Sequence, residues 1–322
     1  MRRREFIFAA TACWPFSPLA QTKVWRIAIL DTATAELNKP NLDAFKKRLH
    51  ELGYVERQNL IIEYRSADGR NERLSALASE LITHNPNVIV VRGTPEALAM
   101  KNATSTIPVV MSAVGDPVSL GVAASLSRPG GNITGLSSVT TDLEAKRVQH
   151  LAEMAPRMKR MASLGDLRNS AIRMQWGQVQ TAAEALGLEV LLFDVRSAAD
   201  VVQAFESAGR ERVQGVRVGL DSTTRSNRRL VVDLSAKYKL PAIYAAKEFV
   251  EDGGLMSYAP DYAHLYSRAA SMVDRILKGE QPADLPIELP SKFELALNLK
   301  AAQALDLKIP TTLLARADEV IE

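Results

Sequence analysis

The sequence predicts an α/β protein of two doubly wound, Rossmann-like lobes, and three observations support this. Short runs of β-branched and apolar residues alternate with amphipathic helical segments along most of the 322 residues. The alternation runs once through residues 24–137 and again through residues 158–258. A chain of this length also has room for two domains of about 150 residues. Because right-handed βα crossovers build parallel sheets, each block predicts one sheet with helices on both faces.

The first block contains five predicted strands and two helices. The strands are rich in Val, Ile and Leu, and they are Trp25–Leu30, Leu60–Tyr64, Val88–Val91, Val109–Met111 and Ile133–Leu136. Between the first two strands, apolar residues from Leu42 to Leu52 recur at helical spacing, and Gly53 is suited to end that helix. The same spacing predicts a helix over residues 71–84. The apolar run Val88–Val91 is typical of a central strand that is covered on both faces.

The second block repeats this alternation. Its predicted strands are Met161–Leu164, Glu189–Phe193, Gly215–Val218 and Ala242–Tyr244. Its predicted helices are Leu143–Met154, Ile172–Leu186, Ala199–Ala208 and Arg225–Tyr238. The remaining tail contains a helix over Tyr262–Leu277, a Pro-rich turn over Gln281–Pro290, a strand over Phe293–Leu297 and a short helix from Lys300. A tail of this size predicts that the chain passes back across both lobes.

The N-terminal residues form a separate unit. Three arginines at positions 2–4 precede the apolar stretch Phe6–Leu19, and the small residue Ala20 follows. This order predicts a cleavable signal peptide over residues 1–20 and a periplasmic location. The arginines also fit a twin-arginine signal, while the general secretory route and lipidation at Cys13 stay open as alternatives. Cleavage near Ala20 would remove the only cysteine and leave a nearly neutral chain, because the leader carries most of the net charge of +3.

The composition and the motifs argue against several classes of protein. With 40 basic and 37 acidic residues the charge is nearly balanced, which disfavours a nucleic-acid partner. The four histidines are scattered, so no metal site and no cofactor are expected. The sequence contains no G-x-S-x-G elbow, no P-loop and no G-x-G-x-x-G fingerprint. We therefore predict no catalytic residues, and an exported α/β enzyme that uses cleft carboxylates stays open as an alternative.

Hydroxyl and carboxyl side chains cluster where the predicted strands end, and ligands of open α/β sheets bind at these ends. The candidate ligand-binding residues are Thr32, Thr34, Gly93, Thr94, Ser112 and Asp116 in the first lobe, and Asp221, Ser222, Glu248 and Phe249 in the second. Thr94 and Asp116 each precede a proline, which is typical of a helix N-cap followed by Pro at N1. The alternative is that such residues only cap helices, and that Phe249, Tyr244 and Tyr258 belong to the core.

This set of groups matches one class of ligand in particular. Hydroxyls and free amides at a helix start suit a carboxylate, and an Asp or Glu on the facing lobe suits an ammonium group. A zwitterionic amino acid requires both. Aromatic residues near the ends of the second-lobe strands could stack on an aromatic or apolar side chain of such a ligand.

Long collinear segments of the chain resemble the TrpX-like substrate-binding proteins of ABC importers. The segments that carry the resemblance are Arg2–Ile7, Leu52–Glu56, Asn59–Arg65, Thr106–Val110, Asp116–Val118, Leu126–Gly135, Leu240–Tyr244, Glu248–Val250, Gly253–Tyr258, Arg275–Gly279, Lys292–Lys300 and Leu314–Glu322. Two places depart from the family pattern. The loop after the strand Met161–Leu164 lacks the usual Asn-Pro pair, and residues 221–229 are unusually rich in Ser, Thr and Arg.

The resemblance implies a type I periplasmic-binding fold, in which three crossing strands form a hinge between the lobes. The implied lobes are residues 24–136 with about 258–284, and about 138–256 with about 286–322. By position, Gly93, Thr94 and Asp116 match the first-lobe cleft loops of the family. The resemblance also implies amino-acid ligands, with aromatic ones among the candidates.

These observations together predict the periplasmic solute-binding component of an ABC importer. The chain would bind a small, amino-acid-like organic solute by hinge closure, without catalysis. Its expected partners are this small-molecule ligand and the transmembrane subunits of an ABC permease, and the mature chain is expected to be a monomer that does not insert into the membrane. A ligand-sensing module for a membrane receptor is a second alternative.

Overall fold

Two β-sheets, one in each half of the chain, organise the protein. The structure is a computed structural model that describes residues 23–138 and 143–322. Its sheets have five and seven strands, which confirms the two α/β lobes predicted from the sequence. The predicted signal peptide and Cys13 lie outside the described residues.

The strands agree with the predicted ones to within a few residues at each end. In chain order they are β1 (Trp25–Asp31), β2 (Leu60–Ser66), β3 (Val88–Val91), β4 (Val109–Val114), β5 (Ile133–Ser137), β6 (Arg160–Gly165), β7 (Glu189–Asp194), β8 (Val216–Val218), β9 (Ala242–Tyr244), β10 (Met256–Pro260), β11 (Phe293–Asn298) and β12 (Glu319–Ile321). The sequence patterns did not predict β10 and β12.

The helices alternate with the strands. They are α1 (Lys39–Glu51), α2 (Leu74–Thr83), α3 (Thr94–Ala103), α4 (Leu143–Met154), α5 (Ser170–Ala185), α6 (Ala198–Arg210), α7 (Ser222–Ser226), α8 (Arg228–Lys237), α9 (Glu248–Glu251), α10 (Tyr262–Leu277), α11 (Leu299–Ala304) and α12 (Thr311–Leu314). Short 3₁₀ turns precede α2 and follow α10.

The first sheet is parallel throughout and has the strand order β2-β1-β3-β4-β5. In its register Ile27 of β1 lies between Ile62 of β2 and Val88 of β3. Phe45 and Leu49 of α1 are fully buried against this sheet, as their helical spacing predicts. Helix α10, from the C-terminal part of the chain, packs beside α1 and completes this lobe.

The second sheet has the order β12-β11-β10-β9-β8-β6-β7. Strands β6 to β10 pair in parallel, whereas β10 and β11 are antiparallel, with Tyr258 opposite Leu295. The tail therefore extends the second sheet by two strands after it has contributed α10 to the first lobe.

The chain passes between the lobes three times. It leaves the first sheet after β5, returns from β10 to α10, and crosses again before β11. The third passage is tied to the first lobe, because Glu288 donates its backbone N–H to Gly135 and accepts one from Ser137.

The start of α3 differs from the prediction. Gly93, and not Thr94, is the N-cap, while Thr94 and Pro95 occupy the first positions of the helix. The Thr94 hydroxyl instead accepts a hydrogen bond from the backbone N–H of Gly115 at 3.2 Å. Thr94 thus ties together the loops that follow β3 and β4.

Two further segments depart from the predicted helices. Asp116 accepts hydrogen bonds from the backbone of Val118 and Ser119, but the capped segment is a turn and no helix follows it. The helix predicted over Arg225–Tyr238 is interrupted at Asn227, which ends α7 and begins α8.

Candidate functional site between the lobes

The carboxyl ends of the strands of both sheets face one cavity between the lobes. Its empty space, including the opening to solvent, is about 740 Å³. The first lobe lines it with Thr32, Arg92, Gly93, Thr94, Pro95, Glu96, Ala113 and Gly115. The second lobe contributes Leu143, Glu144, Arg147, Asn169, Ala171, Gln175, Gln178, Leu220, Asp221, Ser222 and Ala245, and Ser138 and Tyr262 complete the wall.

Half of the residues selected from the sequence lie on this wall. They are Thr32, Gly93, Thr94, Asp221 and Ser222. Three of them come from loops of the first lobe and two from the second, so the structure brings together the facing loops that the strand ends predicted.

The other five candidates do not line the cavity in this arrangement of the lobes. Thr34 accepts a hydrogen bond from Leu37 within a turn, and the buried Ser112 hydroxyl donates to the carbonyl of Val91. The remaining three of these candidates are Asp116, Glu248 and Phe249. Asp116 closes the turn described above, and Glu248 begins α9.

Phe249 belongs to the core of the second lobe. Its side chain is 0% exposed, and its ring stacks on that of Tyr244 with 4.8 Å between centroids. Tyr258 stacks on Phe293 and meets His150 edge-on. The rings of Tyr244, Phe249 and Tyr258 do not line the cavity, which favours the alternative that these three residues belong to the core.

Several charged and amide residues of the wall were not predicted from the sequence. They are Arg92, Glu96, Glu144, Arg147, Asn169, Gln175 and Gln178. Arg92 and Glu96 flank the predicted Gly93-Thr94-Pro95 loop, so their position beside a strand end was a usable signal. Glu144 and Arg147 gave no such signal, because an i,i+3 ion pair on an amphipathic helix is usually exposed.

Arg92 is a buried cation, and two of its three guanidinium nitrogens have no hydrogen-bond partner among the described residues. The residue is only 8% exposed, and its Nε and Nη2 atoms have no hydrogen-bond acceptor among the described residues. Its guanidinium lies 5.5 Å from the centre of the Tyr262 ring, which gives it a cation–π contact. A buried guanidinium with free donors is costly unless an anion meets it, so this position suits a carboxylate.

Glu96 places a carboxyl group in the same wall. Its Oε1 accepts a hydrogen bond from the backbone N–H of Thr32 at 2.7 Å, whereas Oε2 is buried and has no partner among the described residues. Burial, together with the nearby Asp31 carboxylate, raises the pKa of Glu96 above its ordinary value. A cation at Oε2 would stabilise the ionised form.

The second-lobe wall is built on a buried ion cluster. Glu144 Oε1 accepts from Arg147 Nη1 at 2.5 Å and from Arg217 Nη2 at 2.6 Å, and Glu144 Oε2 accepts from Arg217 Nε at 2.8 Å. Burial opposes ionisation, but the two guanidiniums hold the pKa of Glu144 below its ordinary value. Arg217 also donates to Gln175 Oε1 at 2.7 Å. The cluster therefore contains two cations and one anion.

Asp221 has a structural task at the cavity wall. Its carboxylate caps α7 by accepting the backbone N–H groups of Thr223 and Thr224, and it also accepts that of Asp166 at 2.9 Å. Burial raises the pKa of Asp221 to about 6, although these N–H groups favour the ionised form. With its oxygens occupied in this way, Asp221 is a poorer partner for a ligand ammonium than Glu96.

Direct contacts join the two lobes beside the cavity. Arg225 of α7 donates to Asp31 Oδ1 at 3.1 Å and to Asn38 Oδ1 at 3.0 Å. Ser222 donates to Asn71 Oδ1 at 2.8 Å. These pairs can form only when the lobes are close together.

Two other kinds of site were sought within residues 23–138 and 143–322. No three His, Cys, Asp or Glu side chains in these ranges are grouped as a metal ion would require. No helix in these ranges has the length and the apolar composition needed to cross a bilayer.

The sequence matches one protein family over nearly its whole length. The profile of the family described as ABC transporter substrate binding protein matches residues 27–321. A tyrosine-binding protein of Clostridioides difficile (strain R20291) is 27% identical over 274 residues, which cover 84% of this chain and 78% of that protein.

Two solved structures have folds similar to that of this chain. An ABC domain from Streptococcus pneumonia in complex with L-Trp has a TM-score of 0.86 and 27% identity, covering 93% of this chain and 100% of that one. The ligand-free, open structure of a substrate-binding protein with adhesive properties from Clostridium difficile has a TM-score of 0.67 and 25% identity, covering 92% of this chain and 99% of that one. Over the whole chain, the structure is thus more similar to the L-Trp complex than to the open structure.

Proposed function

The chain belongs to the ABC transporter substrate-binding proteins, and on that premise we propose that it captures an amino-acid-like solute between its lobes. The ligand carboxylate pairs with Arg92, and the ligand ammonium pairs with Glu96. Helix α3 begins beside both residues, and the partial positive charge at its N-terminus adds to the attraction for the carboxylate.

The observation that carries this proposal is the pair of unsatisfied charges in one cavity wall. Arg92 has two buried nitrogens and Glu96 one buried oxygen without partners among the described residues. A buried charged group without a hydrogen-bond partner destabilises the folded protein by several kcal/mol. A ligand that brings an anionic group to Arg92 and a cationic group to Glu96 removes this destabilisation. An α-amino acid carries both charged groups on one carbon atom, which suits two residues that are four positions apart on either side of the start of α3.

Closure of the lobes accounts for the binding step. Ligand contacts favour the closed state to the extent that the open state lacks them. The interlobe bonds from Arg225 to Asp31 and Asn38, and the greater similarity to the L-Trp complex than to the open relative, support a closed arrangement here. We propose that the moving bodies are residues 24–136 with about 258–284, and about 138–256 with about 286–322.

The wider setting follows from the family. We propose that the protein acts by binding and not by catalysis, that a signal peptide over residues 1–20 directs it to the periplasm, and that it works as a monomer. The closed, loaded form would be the one presented to the transmembrane subunits of an ABC permease.

Isothermal titration calorimetry of the purified full chain with the individual L-amino acids tests this proposal. We expect at least one to bind with a Kd of about 1 μM or tighter, which corresponds to about 8 kcal/mol. Flat titrations for every amino acid, with protein that circular dichroism shows to be folded, would overturn it.

A further inference from the structure

The second-lobe wall determines which side chain the ligand carries, and this inference rests on the proposed function. We infer that the ligand is an acidic amino acid: its α-carboxylate meets Arg92 in the first lobe and its side-chain carboxylate meets Arg147, Gln175 and Asn169 in the second.

The first step concerns the hydrogen-bonding capacity of this wall. Arg217 can only donate, so the oxygen of Gln175 must face it, as the 2.7 Å bond shows, and the amide NH₂ of Gln175 is left as a donor. The oxygen of Asn169 accepts the backbone N–H of Ala171 at 3.0 Å, which leaves its NH₂ group as a donor too. Neither NH₂ group has a partner among the described residues. The wall therefore offers donors.

Arg147 adds a charged donor to the same wall. Its Nε donates to the carbonyl of Tyr258 at 2.8 Å and its Nη1 to Glu144, while Nη2 has no hydrogen-bond partner among the described residues. Three donors from α4, α5 and the loop before α5 thus line one side of the cavity. Gln178 has a buried Oε1 without a partner, but no neighbour fixes the orientation of its amide, so it can present either group.

The second step concerns charge. The cluster of Arg147, Arg217 and Glu144 has one more cation than anion, and all three side chains are 4% exposed or less. Asp221, the other carboxylate of this wall, is already held by backbone N–H groups. A ligand carboxylate would balance the surplus positive charge, whereas an apolar group would leave it buried and unmatched.

The third step concerns shape and stacking. The apolar residues of the described cavity wall are Pro95, Ala113, Leu143, Ala171, Leu220 and Ala245, none of which is aromatic. The one described aromatic residue of the wall, Tyr262, already has the Arg92 guanidinium over its ring. An indole or phenol side chain would find no free ring to stack on and would cover unpaired donors, which costs affinity.

The test is a calorimetric comparison of L-Glu and L-Asp with their amides L-Gln and L-Asn, and with L-Trp, L-Tyr and L-Leu. We expect L-Glu or L-Asp to bind at least ten-fold more tightly than its own amide and than the aromatic acids. Tighter binding of an aromatic, aliphatic or amide amino acid would overturn the inference and leave the proposed function standing. Absence of binding by every amino acid would overturn both.

A variant with a matched control tests the same wall by a second route. Asn169→Asp keeps the cap of α5, because aspartate also accepts the N–H of Ala171, but replaces a donor by an anion beside the ligand carboxylate. We expect it to weaken binding of the acidic ligand at least ten-fold. Asn298→Asp makes the same change at the cap of α11, outside the cavity wall, and should leave affinity unchanged. Equal affinities for both variants and the wild type would overturn the inference.

Discussion

Arg225 of the second lobe donates a hydrogen bond to Asp31 of the first, with 3.1 Å between Nη1 and Oδ1, and both side chains are at most 3% exposed. Asp31 is also held by Asn38 and by the hydroxyl of Tyr64, so its carboxylate is fixed in place before the lobes meet. This ion pair therefore reports on closure, since opening of the lobes would separate its two members.

Breaking the interlobe ion pair should weaken ligand binding without unfolding either lobe. Arg225→Met removes contacts that exist only when the lobes are together, so we expect the Kd to rise ~10- to 100-fold, or about 1.4–3 kcal/mol. Calorimetry measures this effect. Arg228→Met is the matched control, because Arg228 pairs with Asp252 inside the second lobe. An affinity loss of equal size in both variants would contradict the role in closure.

Replacing Arg92 should weaken ligand binding without lowering the stability of the folded protein. Arg92→Met removes a buried cation whose Nε and Nη2 have no hydrogen-bond acceptor among the described residues, so we expect little change in the free energy of unfolding. The same change should reduce affinity at least ten-fold, because a charge-assisted bond contributes about 1.5–3 kcal/mol. Urea unfolding and calorimetry measure the two effects. The exposed Arg229, changed to Met, serves as the control, and a large loss of stability in Arg92→Met would contradict the account.

Glu96 should contribute to binding of the ligand's ammonium group and not to binding of the ligand's carboxylate. In the wild type, an amino acid should bind more tightly than the same acid without its amino group. Glu96→Gln should reduce that difference, since the neutral amide attracts an ammonium less. A double-mutant cycle over protein and ligand isolates the pair. An unchanged difference in affinity would show that the ammonium lies elsewhere.

Phe249 should matter for folding and not for binding. Its fully buried ring stacks on Tyr244, so Phe249→Ala leaves a cavity in the second lobe and should cost about 3–5 kcal/mol of stability. Calorimetry at a temperature where the variant is folded should give the wild-type Kd. A large loss of affinity with little loss of stability would restore Phe249 to the ligand site.

His150 should make the protein sensitive to mild acid. Burial, with a further contribution from Arg316, lowers the pKa of His150 from its ordinary value of 6.5 to about 4. The unfolded chain then binds a proton that the folded chain does not, so the free energy of unfolding should fall as the pH drops from about 6.5 to about 4. Urea unfolding at several pH values measures this slope. His150→Gln should flatten it, and the exposed His264→Gln should not; the reverse result would contradict the assignment.

The fold could be predicted from the sequence because it depends on local patterns. The run Val88–Val91 and the spacing of Phe45 and Leu49 each define an element and its buried face, and the order of elements then limits the sheets. The three-residue strands β8 and β9 were predicted, whereas the short elements α9 and β12 were missed.

The position of the candidate site could be predicted from the sequence, but most of the charged residues in its wall could not. The loops after the strands contain Thr32, Gly93 and Thr94, as strand-end chemistry predicts. That Arg92 and Glu96 each have buried polar atoms without hydrogen-bond partners among the described residues depends on the whole tertiary arrangement, which no local pattern encodes. One usable signal was Arg217, since an arginine between Val216 and Val218 of a short β-strand must be buried and therefore needs an anionic partner.

The most direct test of the account is a crystal structure of the protein with its tightest-binding amino acid. We predict that the α-carboxylate lies within hydrogen-bond distance of the Arg92 guanidinium, that the amino group lies beside Glu96 Oε2, and that Arg225 remains paired with Asp31. A ligand bound elsewhere, or one in this cavity that leaves Arg92 and Glu96 without partners, would contradict the central claim.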